Sequence, residues 1–233
     1  MEMEEREKVC LKTLDELPMD KYVLIGGYGI SSFDFPRFSV DLDIVIDGEE
    51  KATFEKILRD QSFRLSEEKV LEKDIYGSKF ERYEKKLNDL TVSVDLLINS
   101  VVSRQTESSY SFEYLLENSE LRDVSSAVSE TTIKARVATR EMLMALKTNS
   151  MRLVDERDLI ALCTQEVDID AVVKHLQRCP KETITKNIDE LLHTLKTDRH
   201  RDSIKGVFQL SDKVYEKITN RAIDTFSEIQ KRL

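Results

Sequence analysis

The sequence is poor in the residues that interrupt regular structure. Its 233 residues include only three prolines and six glycines, so we expect long helices and strands with few breaks. It also lacks any long Ser, Gln or Gly tract, and 40% of its residues are hydrophobic. A disordered chain is therefore excluded. At this length we expect one large or two small domains.

Membrane segments and metal-binding cysteine pairs are missing as well. No apolar run approaches the roughly 20 residues that a transmembrane helix requires, and the N-terminal segment is acidic and amphipathic rather than a signal peptide. Cys10, Cys163 and Cys179 form no CxxC pair, so neither a disulfide framework nor a cysteine zinc site is indicated. We expect a cytoplasmic protein with buried, reduced thiols and no membrane partner.

The charge is distributed unevenly along the chain. Residues 1–120 hold 16 Lys and Arg against 27 Asp and Glu, whereas residues 121–233 hold 20 against 18. An acidic N-terminal half repels a polyanion. A nucleic-acid partner would therefore need a local basic surface in the second half, for which the candidates are Lys134, Arg136, Arg140, Lys147 and Arg152.

Apolar periodicity divides the chain into two kinds of structure. Helical spacing predicts helices over 3–17 and 49–60, and short apolar or alternating runs predict strands over 22–25, 42–46 and 91–98, with a polar edge strand over 78–86. Beyond about residue 137 only helical patterns remain, over 138–149, 153–165, 168–178, 183–196, 200–210 and 212–231. We expect an α+β domain over 1–130, built on a small mixed β-sheet with flanking helices, and an all-helical domain over 131–233.

The stretch from Ile25 to Ile46 carries the chemistry. Asp41 and Asp43 lie at i, i+2, so both carboxylates leave the same face of an extended strand, about 6.6 Å apart. Two such charges repel by roughly 2.5 kcal/mol at an effective dielectric of about 20, which favours a cation between them. Asp95 lies on the polar face of another strand, and if the two strands are neighbours the three carboxylates form an oxygen site suited to one or two Mg²⁺ ions.

A glycine pair precedes these carboxylates. Gly26 and Gly27 follow an apolar strand and open a short helix, where backbone N–H groups can face an anion. A dinucleotide fingerprint is the competing interpretation of this segment, but Ser32 stands where its third glycine belongs and Pro36 interrupts the required helix. The glycine turn and the carboxylates together have the chemistry needed to bind a metal–triphosphate and to transfer a nucleotidyl group.

The pattern of Gly26-Gly27, the run Arg37-Phe38-Ser39-Val40-Asp41-Leu42-Asp43, and Asp95 resembles the signature of the DNA polymerase β-like nucleotidyltransferase superfamily. The form R-x-S-x-D-L-D is most similar to the AbiEii-type toxin nucleotidyltransferases. The resemblance implies a nucleotidyltransferase domain with a helical C-terminal domain, two Mg²⁺ ions, and NMP transfer from an NTP with release of pyrophosphate. It also implies a tRNA 3′ end or another RNA as acceptor and a cognate antitoxin as partner.

The resemblance assigns roles to individual residues. Asp41, Asp43 and Asp95 are the expected catalytic metal ligands. Arg157-Asp158-Leu159 resembles the (K/R)-D-x-x-D element of the family, and a preceding helix supplies a lysine for the phosphates. The expected nucleotide-binding residues are Gly26, Gly27, Ser31, Ser32, Arg37, Ser39, Lys147 and Asp158. Arg37 and Lys147 each keep an alternative, a structural salt bridge for the first and a solvated helix position for the second.

The sequence departs from the family at two of these positions. Tyr28 replaces the small hydroxyl residue that usually follows the glycines, and Ala161 replaces the second Asp of the helical element. In addition, an alignment without gaps places the family's lysine at Ala145. A catalytically degenerate relative that acts as a binding or regulatory module is therefore the second hypothesis.

Overall fold

The computed structural model describes residues 2–33, 39–72, 74–88, 90–197, 201–208 and 211–233. Within these ranges the chain forms two compact units, one of residues 2–32, 39–102 and 109–139, the other of Phe33, 103–108 and 140–233. The expected fold class, an α+β region followed by a helical C-terminal region, is confirmed. The sequence-based boundary between residues 130 and 131 falls just before the last strand of the first unit.

The first unit combines nine described strands with four helices and a 3-10 turn at Gly48–Glu50. Its helices are α1 (Glu2–Asp15), α2 (Gly26–Ser31), α3 (Lys51–Asp60) and α4 (Phe112–Glu117). Its strands are β1 (Tyr22–Ile25), β2 (Asp41–Ile46), β3 (Arg64–Val70), β4 (Lys79–Leu87), β5 (Leu90–Ile98), β6 (Ser100–Val102), β7 (Ser109–Ser111), β8 (Ser119–Ser125) and β9 (Thr132–Ala138).

Seven of these strands form one mixed sheet in the order β3-β4-β5-β2-β1-β9-β8. The pairs β2–β5 and β1–β9 are parallel, and the other neighbours are antiparallel. Strands β6 and β7 form a separate hairpin. Because β2 and β5 are parallel neighbours, residues that lie far apart in the sequence meet at the same register in the middle of the sheet.

The alternation in β2 and β5 decides which face of each strand is buried. Leu42, Ile44, Val92, Val94 and Leu96 have no exposed surface, and burying each such side chain contributes about 1.5–3 kcal/mol. Since neighbouring side chains on a strand point to opposite faces, this core face fixes the position of the polar residues between them. Asp41, Asp43 and Asp95 consequently share the opposite face.

The prediction that residues 78–86 form an edge strand is wrong. Strand β4 lies inside the sheet with β5 on one side and β3 on the other. The sequence of β3, RLSEEKV, has no apolar alternation, and six of its seven residues are exposed. A strand that buries neither face has no hydrophobic pattern in its sequence, so β3 could not be predicted and β4 was taken as the edge strand.

The second unit is helical in its described residues. It contains α5 (Arg140–Ser150), α6 (Asp155–Leu162), α7 (Ile169–Leu176), α8 (Lys181–Lys196), α9 (Arg201–Phe208) and α10 (Asp212–Arg232). Helix α5 packs against α6, α7 and α8, and α10 packs against α6, α7, α8 and α9. The prediction of buried thiols is confirmed, because all three cysteines are buried and free of disulfides.

Candidate functional site

Three carboxylates converge on the polar face of the first unit's sheet. In the parallel pairing of β2 with β5, Asp43 lies opposite Asp95 and Asp41 lies opposite Ser93. One oxygen from each of Asp41, Asp43 and Asp95 lies within 4.8 Å of the other two. Asp95 is 4% exposed, whereas Asp41 and Asp43 are partly open to solvent. We call these three residues the carboxylate triad.

The chemistry of the triad suits a hard divalent cation. Two unit charges 4.8 Å apart repel by about 3.5 kcal/mol at an effective dielectric of about 20, so three such groups favour a cation that they share. Mg²⁺ prefers carboxylate oxygens and keeps free positions for water and phosphate oxygens. The triad offers only oxygen donors and is partly open on the side of Asp41 and Asp43, so the residues present fit a magnesium site.

Arg82 on β4 holds the most buried member of the triad. It lies directly opposite Asp95 in the antiparallel pairing of β4 with β5. Its Nε donates to Asp95 Oδ1 at 2.7 Å and its Nη2 donates to Asp95 Oδ2 at 2.7 Å. Burial raises the pKa of Asp95, and the Arg82 hydrogen bonds offset this only in part. The hydrogen bonds to Asp95 also raise the pKa of the Arg82 guanidinium.

Arg82 is not among the site residues predicted from the sequence. Its contact with Asp95 depends on the register between β4 and β5, which the composition of neither strand specifies. The turn between the strands is short, however, since β4 ends at Leu87 and β5 begins at Leu90. Counting back from this turn pairs Leu87 with Leu90 and Arg82 with Asp95, a signal that could have identified the arginine.

Charged residues form a row across this face of the sheet. Glu67 on β3 lies opposite Arg82, Arg82 opposite Asp95, and Asp95 opposite Asp43. On the far side of Asp43, β1 places Ile25 at the same register. The glycine pair therefore begins one residue beyond the row, immediately beside the triad.

Gly26 is the residue through which the glycine turn approaches the triad. Its φ is +62°, a left-handed conformation that side chains disfavour, and a β-carbon built on it would lie 1.8 Å from Asp43 Oδ2. Both observations require glycine at this position. Helix α2 begins there and is six residues long, so the first backbone groups of α2 lie next to the carboxylate of Asp43.

The predicted serine contacts differ from one another. Ser39 Oγ donates to Asp41 Oδ1 at 3.2 Å and so orients one member of the triad. Ser31 Oγ donates to the carbonyl of Gly27 at 2.9 Å, and Ser32 Oγ to that of Gly29 at 2.7 Å. These two hydroxyls hydrogen-bond inside α2, and their role in binding nucleotide stays a prediction.

Tyr28 lies in the core and away from solvent. It is 1% exposed, and burial raises the pKa of its hydroxyl. The residue that replaces the small hydroxyl side chain of the family is therefore part of the protein core. A phosphate contact through this side chain does not fit its buried position.

Lys147 lies in a buried ion cluster of the second unit. Its Nζ contacts Asp155 Oδ1 at 2.9 Å and Asp158 Oδ2 at 2.8 Å, and the three side chains are 7%, 0% and 2% exposed. Burial favours a higher pKa for Asp155, but Lys147, Arg152 and Ser150 together lower it to about 2. The interpretation of Lys147 as a solvated helix lysine is therefore wrong. Its role toward nucleotide, and that of Asp158, stay predictions.

Two of the five basic residues considered for an RNA-facing stripe are buried. Arg140 is 8% exposed and donates from Nη1 to the carbonyl of Leu162 at 2.6 Å. Lys147 is buried in the ion cluster, and Lys134 forms an exposed ion pair with Asp123. Arg140 and Lys147 therefore cannot belong to an exposed stripe, and an RNA-binding surface that includes Lys134, Arg136 and Arg152 stays a prediction. Arg37, the remaining predicted site residue, lies outside the described residues.

Comparisons with solved structures identify the fold. A provisionally assigned nucleotidyltransferase from H. pylori superposes with a TM-score of 0.50 at 18% identity, covering 100% of this chain and 95% of that chain. JHP933 from Helicobacter pylori superposes with a TM-score of 0.52 at 18% identity, covering 100% and 93%. The chain has a nucleotidyltransferase-like fold.

Sequence comparisons add no closer relative. No protein-family model matches the chain, and no curated protein matches it.

Among the described residues, none of the helices has the length and apolar character that crossing a bilayer requires.

Proposed function

We propose that the protein is a Mg²⁺-dependent nucleotidyltransferase that transfers NMP from an NTP to an acceptor hydroxyl. The observation that carries this proposal is the carboxylate triad, in which one oxygen from each of Asp41, Asp43 and Asp95 lies within 4.8 Å of the others. The triad lies beside the glycine turn, where a β-carbon on Gly26 would clash with Asp43. The nucleotidyltransferase-like fold supports the same function.

Each residue of the site has a distinct task in this proposal. Asp41 and Asp43 would hold two Mg²⁺ ions and Asp95 would bind one of them; these ions supply positive charge for the triphosphate and lower the pKa of the acceptor hydroxyl. Ser39 orients Asp41 through its hydrogen bond. Gly26 has no side chain, so the backbone at the start of α2 lies directly against the carboxylate of Asp43, and its N–H groups would bind phosphates of the NTP beside the triad.

The proposed family, acceptor and protein partner rest on the residue pattern of the segment that ends in Asp41 and Asp43. Its R-x-S-x-D-L-D form supports an AbiEii-type enzyme that acts in the cytoplasm, uses a tRNA 3′ end or another RNA as acceptor, and is inhibited by a cognate antitoxin. Ser31, Ser32, Arg37, Lys147 and Asp158 complete the proposed nucleotide-binding set.

One contact favours a second function, that of a catalytically degenerate binding module. Both oxygens of Asp95 accept hydrogen bonds from Arg82, so the third carboxylate already has a cation as its partner. If that ion pair replaces the metal, the protein binds nucleotide or a protein partner without transferring a group. Metal binding and label transfer distinguish the two functions.

The test is transfer of label from each of the four α-³²P-labelled NTPs to total RNA and to a cell lysate, in the presence of Mg²⁺. Labelled product is expected with the unaltered protein and should disappear with Asp43→Ala or with EDTA. Isothermal titration of the NTP with Mg²⁺ measures binding separately. Binding without transfer would support the degenerate module, and full transfer by Asp43→Ala would overturn the proposed mechanism.

A further inference from the structure

Arg82 has a geometric relationship to Asp95 that an ordinary surface ion pair lacks. The two residues face each other on neighbouring strands, and two parallel hydrogen bonds of 2.7 Å join the guanidinium edge to both carboxylate oxygens. The Asp95 side chain is 6% exposed and that of Arg82 is 35% exposed. The bond therefore anchors a buried carboxylate through an arginine that reaches it from the sheet surface.

We propose that Arg82 is a positioning residue, which fixes the orientation of Asp95 so that a divalent cation can bind the triad. This inference rests on the proposed function, because it concerns the same metal site. A carboxylate oxygen has two lone pairs. Arg82 occupies one on each oxygen and leaves the others for the cation shared with Asp41 and Asp43.

The fork geometry of arginine is essential to this role. A guanidinium presents its donors in a rigid plane that matches both oxygens of a carboxylate, whereas the ammonium of lysine is a point charge on a flexible stem. Lysine at position 82 would keep the positive charge but would not hold both Asp95 oxygens. Loss of a group that orients a metal ligand typically weakens metal binding by about 10–100-fold.

Arg82 also compensates the charge of the row in which it lies. It stands between Glu67 on β3 and Asp95 on β5, while Asp95 in turn faces Asp43. Without the guanidinium, the row would hold the carboxylates of Glu67 on β3, Asp95 on β5 and Asp43 on β2 with no positive charge between β3 and β5. Arg82 thus keeps the triad assembled before a cation arrives, and its fork sets the direction from which Asp95 binds that cation.

The test is a double-mutant cycle on Mn²⁺ binding, with free Mn²⁺ measured by electron paramagnetic resonance. The proteins are the unaltered chain, Arg82→Lys, Asp95→Asn and the double variant. We expect Arg82→Lys to raise the dissociation constant about tenfold and to have no further effect once Asp95 is replaced. The matched control is Arg59→Lys, whose guanidinium pairs with Glu55 on an exposed helix surface; its Mn²⁺ affinity should not change.

Each outcome decides a different question. Unchanged Mn²⁺ affinity in Arg82→Lys overturns the positioning role alone, and so does an equal loss in the presence and absence of Asp95. Failure of the unaltered protein to bind Mn²⁺ overturns both the magnesium-dependent function and the positioning role. Circular dichroism checks that each variant is folded at the assay temperature, and if Arg82→Lys is unfolded, Arg82→Gln takes its place in the cycle.

Discussion

Gly26 and Asp43 are so close that no side chain fits between them: a β-carbon on Gly26 would lie 1.8 Å from Asp43 Oδ2 and 2.8 Å from Asp43 Cβ. The glycine turn and the carboxylate triad are therefore one structural unit. Any residue larger than glycine at position 26 must displace the carboxylate or the start of α2. Such a displacement affects the candidate site even if the sheet stays intact.

We predict that Gly26→Ala lowers nucleotidyl transfer by about 100-fold, because a misplacement of about 1 Å at a reacting centre has effects of that size. The free energy of unfolding should fall by more than about 2 kcal/mol, from left-handed strain and the steric clash together. Label transfer and urea unfolding measure the two effects.

Gly77→Ala is the matched control for that substitution. Gly77 has a φ of +64°, close to that of Gly26, but nothing lies within 4 Å of the position that its β-carbon would take. The Gly77→Ala variant should lose only about 1 kcal/mol of stability through backbone strain and should keep its activity. Equal effects of the two substitutions would show that the contact with Asp43 is unimportant.

We predict that Asp41→Asn abolishes nucleotidyl transfer while the melting temperature in EDTA stays the same or rises. Replacing one of three like charges relieves repulsion within the triad, and the amide oxygen can still accept the hydrogen bond from Ser39. Asp123→Asn serves as control, because that carboxylate forms an exposed ion pair with Lys134. An active Asp41→Asn enzyme would contradict the assignment of the triad.

We predict that Lys147→Met destabilises the protein by about 3–5 kcal/mol, the usual cost of breaking a buried ion pair by removing one of its members. Asp155 and Asp158 would both lose the ammonium that they contact. Lys186→Met is the control, because Lys186 is 74% exposed and pairs only at 3.7 Å with Glu190; its effect should stay below about 0.5 kcal/mol. Chemical unfolding at pH 7 measures both, and similar values would contradict a buried cluster.

His175 makes the stability of the protein depend on pH. It is 2% exposed, and burial, followed by the charges of Lys174 and Arg178, lowers its pKa from 6.5 to about 4. The unfolded chain binds a proton near pH 6.5 and the folded protein does not, so stability falls as the pH drops from about 6.5 toward 4. Between pH 7 and pH 5 the loss due to this histidine should be about 2 kcal/mol.

Urea unfolding of the unaltered protein and of His175→Gln at both pH values isolates this contribution. The variant should lose about 2 kcal/mol less than the unaltered protein between pH 7 and pH 5. The exposed His193 provides the control, since His193→Gln should keep the full dependence on pH. A pH dependence that survives in His175→Gln would assign it to other groups.

The strands that carry the triad could be predicted because each buries one face. The alternating apolar residues of β5 and the apolar run of β2 predict which face of each strand is buried. Asp95, Asp41 and Asp43 are then expected on the opposite face. The prediction that the three carboxylates meet assumed that β2 and β5 are neighbours. A sequence pattern identifies strands without identifying their neighbours. The structure supplies this pairing, and with it the distances within the triad.

Other features left no comparable signal. Strand β3 is exposed on both faces, so its sequence is that of a polar loop. The cluster of Lys147, Asp155 and Asp158 consists of residue types that are normally exposed on helices, and only tertiary packing encloses them. Arg82 acquires its partner through strand register, a property of two segments together.

The parallel pairing of β2 with β5 has a consequence for how this fold tolerates change in length. The connection between these strands runs through α3 and the β3–β4 hairpin, and residues added at the hairpin turn near Gly77 would leave both strands in place. A single deletion inside β5 before Asp95 would instead exchange the two faces of the strand. An apolar side chain would then occupy the position where Asp95 meets Arg82, so the hairpin can diverge in length while the start of β5 cannot.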